Sequence, residues 1–453
     1  TLFPYTTLFR SIIEKLAYAL TNIGNIPVQA ILGSYLLIFY TNVVGLNPAA
    51  CATLFLIARV LDGLNDPVVG FLIDHGPTTK MGHFRPTLII GSIACGINFL
   101  LMFYGPYIAT GGKLVIAYVT YILIGILFPV MDISLNSMLP VMTADVKERN
   151  ALSSIKGFAY MAGIFGLNIA APLIIGDTTV ATGYLRLVTI ATVIIIGCSV
   201  VGTLGIKERI QASAGSESYK FTDLFRILTQ RPVWVTFIST MAYMVGTYIL
   251  NTSNTYFYTY VLGNLQLLSI VSVIQLATLI PFTILAVPLV NKFGKKRLYA
   301  VALALITLTP LVRLLNVTNV PILLITTAAT GIGSGICMPL TYSIQADNTD
   351  FVELNLGVKA QGAVAALSSF ITKCAMGIGG AIPGYILASV GFDASASTQA
   401  DSVLSAIIFC VIGAPALLGA LGVIIFAFLY PLSKEKVEIQ NEQIAKIREK
   451  DMA

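Results

Sequence analysis

The stretch Ala50–Ile73, ACATLFLIARVLDGLNDPVVGFLI, decides the fold because it is long and apolar and yet carries charge. A helical membrane span needs about 20 consecutive, mainly apolar residues, and this stretch is long enough to supply one. Its ionisable side chains are Arg59, Asp62 and Asp66. An ionised side chain at the centre of a bilayer costs at least about 2.5–3.5 kcal/mol, so charges in such a helix indicate a functional site.

The composition of the whole chain agrees with a membrane protein. Of 453 residues, 56% are hydrophobic and 11% are charged, and the mean hydropathy is +0.86, whereas an ordinary soluble domain is about 25% charged. This deficit is too large for a water-facing surface and disfavours soluble enzymes, nucleic-acid binders and disordered proteins. A net charge of +6 is weak evidence for a nucleic-acid partner, and we expect none.

Twelve apolar stretches have the length of membrane-spanning helices, which predicts an all-α integral membrane protein. They are longer than the strands of a β-barrel, which have about 10 residues, and they are apolar all round rather than alternating. The predicted spans are residues 16–42, 50–73, 86–107, 114–140, 151–176, 184–206, 233–262, 267–290, 298–316, 320–345, 359–391 and 402–430.

The placement of Lys and Arg predicts the orientation. If both termini are cytoplasmic, 21 of the 27 basic residues lie in inner segments, and only Lys113, Arg186 and Arg313 lie in outer loops. This asymmetry supports an even number of spans and cytoplasmic termini. We therefore expect a multi-pass protein of the cell membrane, in contact with the lipid bilayer.

The polar stretch 207–232 divides the chain into two halves of six spans, and the two halves have similar loops at corresponding positions. The loop after span two, with Gly82 and Arg85, and the loop Asn291–Arg297, NKFGKKR, are both short, basic and glycine-containing. Six plus six spans with this repeat is the arrangement of the major facilitator fold. The predicted parts are an N-terminal segment 1–15, a six-helix bundle 16–206, a cytoplasmic loop 207–232, a second six-helix bundle 233–430 and a cytoplasmic tail 431–453.

The two ends of the chain are harder to place. Residues 1–10, TLFPYTTLFR, fit poorly as the start of a span; they are either native sequence or an artefact, and we leave them out of the fold argument. The segment 434–450 alternates charged and apolar residues. We expect it to be a solvated end, with an interfacial helix as the alternative.

Asp62 and Asp66 are four residues apart, which places both carboxylates on one face of a helix with their Cβ atoms about 5–6 Å apart. Two carboxylates in a medium of low dielectric repel, so one of them holds a proton or a cation lies between them. This predicts a site for a coupling ion, with Asn65 as a neutral oxygen donor nearby. The alternative is structural: Arg59, one turn before Asp62, pairs with these aspartates and holds the helix against a neighbour.

Three further charges lie inside predicted spans and bring the sum of the six to zero, which suggests one interior cluster facing a cavity. We expect Asp132 and Lys156 to form an ion pair between helices. Because a buried ion pair is weak evidence of stabilisation, substrate binding or gating is the better reason for it. Lys373 is expected to sense the charge of the ion, with snorkelling to an interface as the alternative.

Four stretches together resemble the glycoside–pentoside–hexuronide:cation symporter family, and the resemblance covers nearly the whole chain. Helix one of that family ends like YTNVVGL, and its helix four is similar to TYILIGILFPVMDISLNSMLP. Its signature resembles ARVLDGLNDPVVGFLIDH…KMGHFRP, and its acidic loop resembles ADNTDFVELNLGVKAQG. In this chain these are Tyr40–Leu46, Thr120–Pro140, Ala58–Pro86 and Ala346–Gly362.

The resemblance implies a major facilitator fold and import of a sugar, glycoside or hexuronide, driven by Na⁺ or H⁺ through alternating access. It places the cation, Na⁺ in one of the two cases, at Asp62 and Asp66 with Asn65 between them. It makes Asp132 a sugar-binding residue. Lys156 stands at the position of an arginine, and Lys373 matches a lysine near the cation site. The remaining candidates are Asn136, Phe128 and Gln29 for the substrate, Arg59 for the charge network, and Asp347, Asp350 and Glu353 for a gating loop.

Three departures from the family pattern affect specificity. Where melibiose-transporting members have an acidic residue on helix one, this chain has Ile26 at or near the position, and Asn136 replaces a tryptophan. The loss of a carboxylate and of a stacking face argues against a melibiose-like pocket. Pro129 replaces a threonine associated with sodium coordination, which leaves both Na⁺ and H⁺ open.

The expected function is therefore that of a monomeric symporter, not an enzyme, with no resident cofactor. A sodium-coupled carrier of lipids or other amphipathic solutes on the same fold is one alternative. An intramembrane enzyme using two aspartates is another, but the chain has neither an HExxH motif nor a P-loop, and its two histidines lie in one predicted loop.

Overall fold

A computed structural model describes residues 4–77, 79–143, 146–209, 226–356, 361–396 and 398–452, with some side chains inside these ranges left undescribed. The described secondary structure is helical apart from one isolated β-bridge in a loop. The helices are α1 Pro4–Ile38, α2 Pro48–Asp74, α3 Phe84–Ile108, α4 Lys113–Met142, α5 Val146–Ile175, α6 Ala181–Gly205, α7 Arg231–Tyr256, α8 Leu267–Phe293, α9 Lys295–Leu308, α10 Val320–Leu356, α11 Gln361–Ser389, α12 Asp401–Ile408, α13 Ala414–Leu429 and α14 Lys434–Met452.

Within the described residues, eleven helical stretches are long and apolar enough to cross a membrane. The predicted second span, 50–73, lies within α2. Local chemistry fixes where α2 starts, because the side chain of Asn47 accepts a 2.8 Å hydrogen bond from the backbone N–H of Ala49 and Pro48 fits the first helical position.

The chain forms two compact units. Unit 1 comprises Thr1–Gly215, Gly263–Ser269 and Gly384–Ala400, and unit 2 comprises Ser216–Leu262, Ile270–Pro383 and Asp401–Ala453. In unit 1, α1 packs against α5 and α6, α3 packs against α4 and α6, and α2 packs against α4. In unit 2, α9 packs against α10 and α13, and α13 also packs against α7.

A reciprocal cap joins α3 to the end of α6. The carboxylate of Glu208 accepts hydrogen bonds from the backbone N–H groups of His83, Phe84 and Arg85 at 2.7, 2.9 and 2.8 Å. The Arg85 side chain in turn donates to the carbonyls of Thr203 and Leu204 at 3.1 and 3.2 Å. A negative charge at a helix start and a positive charge at a helix end both satisfy backbone groups that lack partners within the helix.

Gly82 makes room for this cap. Its backbone has φ +115°, which disfavours any residue with a side chain, and a Cβ there would lie 2.5 Å from the carboxyl carbon of Glu208. The glycine and the arginine of this loop, which the sequence presented only as half of a repeat, therefore have a structural role.

In unit 2 the polar end of α10 differs from the expected acidic loop. Asp347, Asp350 and Glu353 lie on the helix, which continues to Leu356, so the prediction of a loop from residue 346 was wrong for these residues. The helix continues because its polar end has partners. Asp347 forms a 2.7 Å ion pair with Lys295 at the start of α9.

The C-terminal tail is also different from the prediction of a solvated end. Residues 434–452 form α14, which packs against α10. Val437, Gln440 and Ile444 recur on one face of α14 and are buried, and the Gln440 amide donates a 2.7 Å hydrogen bond to the carbonyl of Asp347. At the other end of the chain, α1 already begins at Pro4, inside the segment that was left out of the fold argument.

We predict that Glu208→Gln destabilises the protein, because three N–H groups lose a charged acceptor. The expected cost is about 1–3 kcal/mol, measured as a lower midpoint of thermal unfolding in detergent. The matched control is Glu442→Gln, at an exposed position of α14. Equal unfolding midpoints for the two variants would contradict a stabilising role for the cap.

Candidate functional site

The first cluster of functional side chains in unit 1 lies on α2. Arg59 and Asp62 form an ion pair in which a terminal guanidinium nitrogen lies 2.7 Å from Asp62 Oδ2, and their side chains are 19% and 10% exposed. The other terminal nitrogen of Arg59 donates to the hydroxyl of Tyr121 on α4 at 3.4 Å, and the Tyr121 ring lies 5.1 Å from that of Phe55. The carboxylate is therefore buried and compensated within its own helix.

The backbone of α4 closes the other side of this cluster at Gly125. A Cβ at Gly125 would overlap Asp62 Oδ1, so the carboxylate rests directly on the helix backbone. The side-chain amide of Asn65 donates a 3.1 Å hydrogen bond to the carbonyl of Gly125. The sequence analysis missed Gly125, and the only available signal was a glycine within the otherwise apolar run of span four.

The donor set suits a small cation or a proton. Asp62 supplies carboxylate oxygens, and Asn65 and Gly125 supply amide oxygens, which are the ligands that hard cations prefer. The backbone of Asp66 lies in α2, but its side chain is outside the described part of the structure. Its role as the second carboxylate therefore stays a prediction.

A second cluster joins three helices around Asp132. Its Oδ1 accepts a 2.6 Å hydrogen bond from the Asn25 amide on α1, and its Oδ2 accepts a 3.0 Å hydrogen bond from the Asn136 amide one turn further along α4. Lys156 on α5 donates to the Asn136 side-chain oxygen. All three helices belong to unit 1.

This arrangement corrects the expectation of a direct ion pair between Asp132 and Lys156. Among the ion pairs of the described residues, none joins the two. The amide of Asn136 stands between them, accepting from the ammonium with its oxygen and donating to the carboxylate with its nitrogen. Because an asparagine can do both, it relays the interaction between residues that the sequence shows only as opposite charges.

Asn25 is the helix-one residue of this cluster, and the sequence analysis missed it. The neighbouring position, Ile26, is 3% exposed and packs against Gly163 of α5. The side-chain oxygen of Asn25 is buried and has no hydrogen-bond partner among the described residues. An acceptor of this kind next to a carboxylate is suited to a ligand hydroxyl.

Two other predicted substrate residues lie one helical turn from members of the second cluster. Phe128 lies one helical turn before Asp132 and is half-buried, and Gln29 lies one turn after Asn25 and is exposed. Lys373 is half-buried on α11 in unit 2, and its link to the cation remains a prediction. Asp347, of the predicted gating group, is bound to Lys295 in unit 2.

Comparisons with solved structures agree with a transporter fold. The chain matches the crystal structure of a D-xylose-proton symporter with a TM-score of 0.64 at 14% identity, covering 94% of this chain and 99% of that one. A bacterial homologue of the human lysosomal transporter Spinster, in an inward-facing and unoccupied conformation, matches with a TM-score of 0.67 at 12% identity, covering 95% and 97%. At these identities the likeness shows the fold alone.

Comparisons with known sequences identify the family. The family model described as MFS/sugar transport protein matches residues 17–434. The isoprimeverose transporter of Lactiplantibacillus pentosus is 31% identical over 398 residues, which cover 86% of this chain and 83% of that protein. A glucuronide carrier protein homolog of Escherichia coli (strain K12) is 26% identical over 444 residues, covering 94% and 95%. The chain therefore belongs to the MFS/sugar transport protein family of multi-pass membrane transporters, which confirms its resemblance to the glycoside–pentoside–hexuronide:cation symporters.

Proposed function

We propose that the chain is a cation-coupled symporter that imports a sugar, glycoside or hexuronide by alternating access. The observation that carries this proposal is that one helix, α4, contributes to both clusters. Gly125 contacts the Asp62 carboxylate, and Asp132, seven residues later, anchors the second cluster. Seven residues are close to two turns, so both positions lie on the same side of α4, about 10 Å apart along its axis. A movement of α4 at one cluster would therefore also displace the α4 residue of the other cluster.

The finer features belong to the same proposal. They are twelve spans in two halves of six, a location in the cell membrane with both termini cytoplasmic, and transport by a monomer without enzymatic activity, resident cofactor or nucleic-acid partner. The placement of basic residues supports the orientation. Two relatives support the substrate class, because one is named for isoprimeverose and the other for glucuronides.

The geometry suggests how the cation is admitted. Arg59 occupies Asp62 Oδ2, so an arriving cation or proton must replace a guanidinium at that oxygen. The exchange conserves charge, because one positive species leaves the carboxylate as another arrives. Leaving Asp62 ionised without a partner would cost several kcal/mol. The guanidinium is therefore expected to leave only as the cation or proton binds.

The coupling role of Asp62 leads to a direct test. We predict that Asp62→Cys abolishes concentrative uptake while membrane insertion is unchanged, because a neutral thiol neither binds the cation nor exchanges a proton as a carboxylate does. Uptake of labelled substrate into vesicles with an imposed Na⁺ or H⁺ gradient measures the effect and shows which ion is used. The control is Asp401→Cys, at an exposed position of α12. Undiminished gradient-driven accumulation by Asp62→Cys would refute the proposal.

The contact at Gly125 makes a second prediction. Gly125→Ala places a methyl group where Asp62 Oδ1 lies, so we expect the cation concentration for half-maximal uptake to rise at least about tenfold. The control is Gly197→Ala on α6, where a Cβ would meet nothing within 4 Å. An unchanged cation dependence in Gly125→Ala would show that α4 does not shape the cation site.

A third prediction concerns the substrate. Lys156 uses one of its three N–H groups on Asn136, which leaves donors for a sugar hydroxyl or a uronate. We expect Lys156→Gln to weaken substrate binding about tenfold and Lys156→Arg to retain most of it. Calorimetry with isoprimeverose and with a glucuronide distinguishes the two substrate classes, because loss of the charge weakens a uronate more than a neutral sugar. Wild-type affinity of Lys156→Gln for whichever sugar binds would remove Lys156 from the substrate site.

A further inference from the structure

Three basic residues were predicted in outer loops, and two of them have internal partners. Lys113 donates to the carbonyl of Val44 at 3.3 Å. Arg313, predicted in an outer loop, is buried at 8% exposure and donates to the hydroxyl of Thr326 at 2.7 Å. Both cations are explained by contacts within the protein. The third, Arg186, is exposed and has no hydrogen bond or ion pair within the described part of the chain.

Arg186 opens onto a crevice of about 700 Å³ in unit 1. The crevice is formed where α3 and α5 end and α6 begins, so it lies at one end of three membrane-crossing helices. Its apolar wall includes Leu173, Leu185 and Ile190, and Tyr107 lies at its edge. Leu173 and Ile190 are 59% and 47% exposed, so this wall is open to the surroundings of the bundle.

The polar groups of the crevice favour an anion. The hydroxyl of Thr189 donates to the carbonyl of Leu185 at 2.7 Å, so the 3.0 Å hydrogen bond between Tyr104 and Thr189 has the tyrosine as donor. Arg186 is then the single charged group among the lining residues, which include no carboxylate. An unpaired guanidinium with five donors is suited to bind phosphate oxygens.

We propose that this crevice binds an anionic phospholipid, with its phosphate on Arg186 and the upper part of an acyl chain along Leu173 and Ile190. Three features of the crevice fit this occupant. The cation has no partner in the protein, tyrosines mark the level of lipid head groups, and an apolar wall continues from the charge. This site is separate from both clusters on α4.

Native mass spectrometry of the full chain in detergent tests the site, with phosphatidylglycerol and phosphatidylcholine as probes. We expect the wild type to retain phosphatidylglycerol in preference to phosphatidylcholine and Arg186→Gln to retain about fivefold less. The matched control, Lys80→Gln, removes the same charge from the exposed loop before α3, at the opposite end of that helix, and should retain as much as the wild type. Leu173→Trp keeps the guanidinium but narrows the crevice along the proposed path of the acyl chain, and it should also reduce retention.

Equal retention of phosphatidylglycerol by wild type and Arg186→Gln would overturn the proposal. Equal losses in Arg186→Gln and Lys80→Gln would do the same, because the effect would then come from net charge. Displacement of the lipid by millimolar inorganic phosphate would show a free-anion site instead. Thermal unfolding of each variant in detergent without added lipid confirms that the comparison is made between folded proteins.

Discussion

The ion pair between Arg59 and Asp62 is the interaction on which the proposed cation site of α2 depends. Both side chains are largely buried, and the two atoms that meet are 2.7 Å apart. A carboxylate placed there without a counter-charge would be strongly unfavourable, so the helix supplies a guanidinium one turn earlier. The same arrangement means that Asp62 can give up its partner only in exchange for another positive species, and this constraint is what a coupling site requires.

The two clusters of unit 1 compensate their carboxylates in different ways. Asp62 is held by a charge, whereas Asp132 is held by the neutral amides of Asn25 and Asn136. In the proposed mechanism, a cation replaces the guanidinium at Asp62, and a neutral ligand group replaces an amide N–H at Asp132. Sugar hydroxyls can replace amide N–H groups on a carboxylate at little net cost. The difference in partners supports the proposal that the cation binds on α2 and the sugar at the cluster around Asp132.

The sequence predicted most of the helices because apolar runs of this length have few alternatives. The contact of Arg59 with Asp62 was the structural alternative to the ion site, and it is possible because both residues lie on one turn. The sequence did not predict contacts between helices. Asn25 contacts Asp132, and Gly125 touches Asp62, because the rotation of each helix is set by packing and not by local pattern. The amide of Asn136 between Asp132 and Lys156 was missed for the same reason, since opposite charges suggested a direct pair.

The basic loops of the two halves have a structural meaning beyond orientation. In unit 1, Arg85 at the start of α3 binds the last carbonyls of α6. In unit 2, Lys296 at the start of α9 donates a 2.6 Å hydrogen bond to the carbonyl of Tyr430, directly after α13. In each unit, a cation at the start of the third predicted span satisfies carbonyl groups at the end of the sixth. Such carbonyls lack partners within their own helix and carry partial negative charge. The basic loops, whose positive charge is the basis of the proposed orientation, therefore also join helix ends in both units.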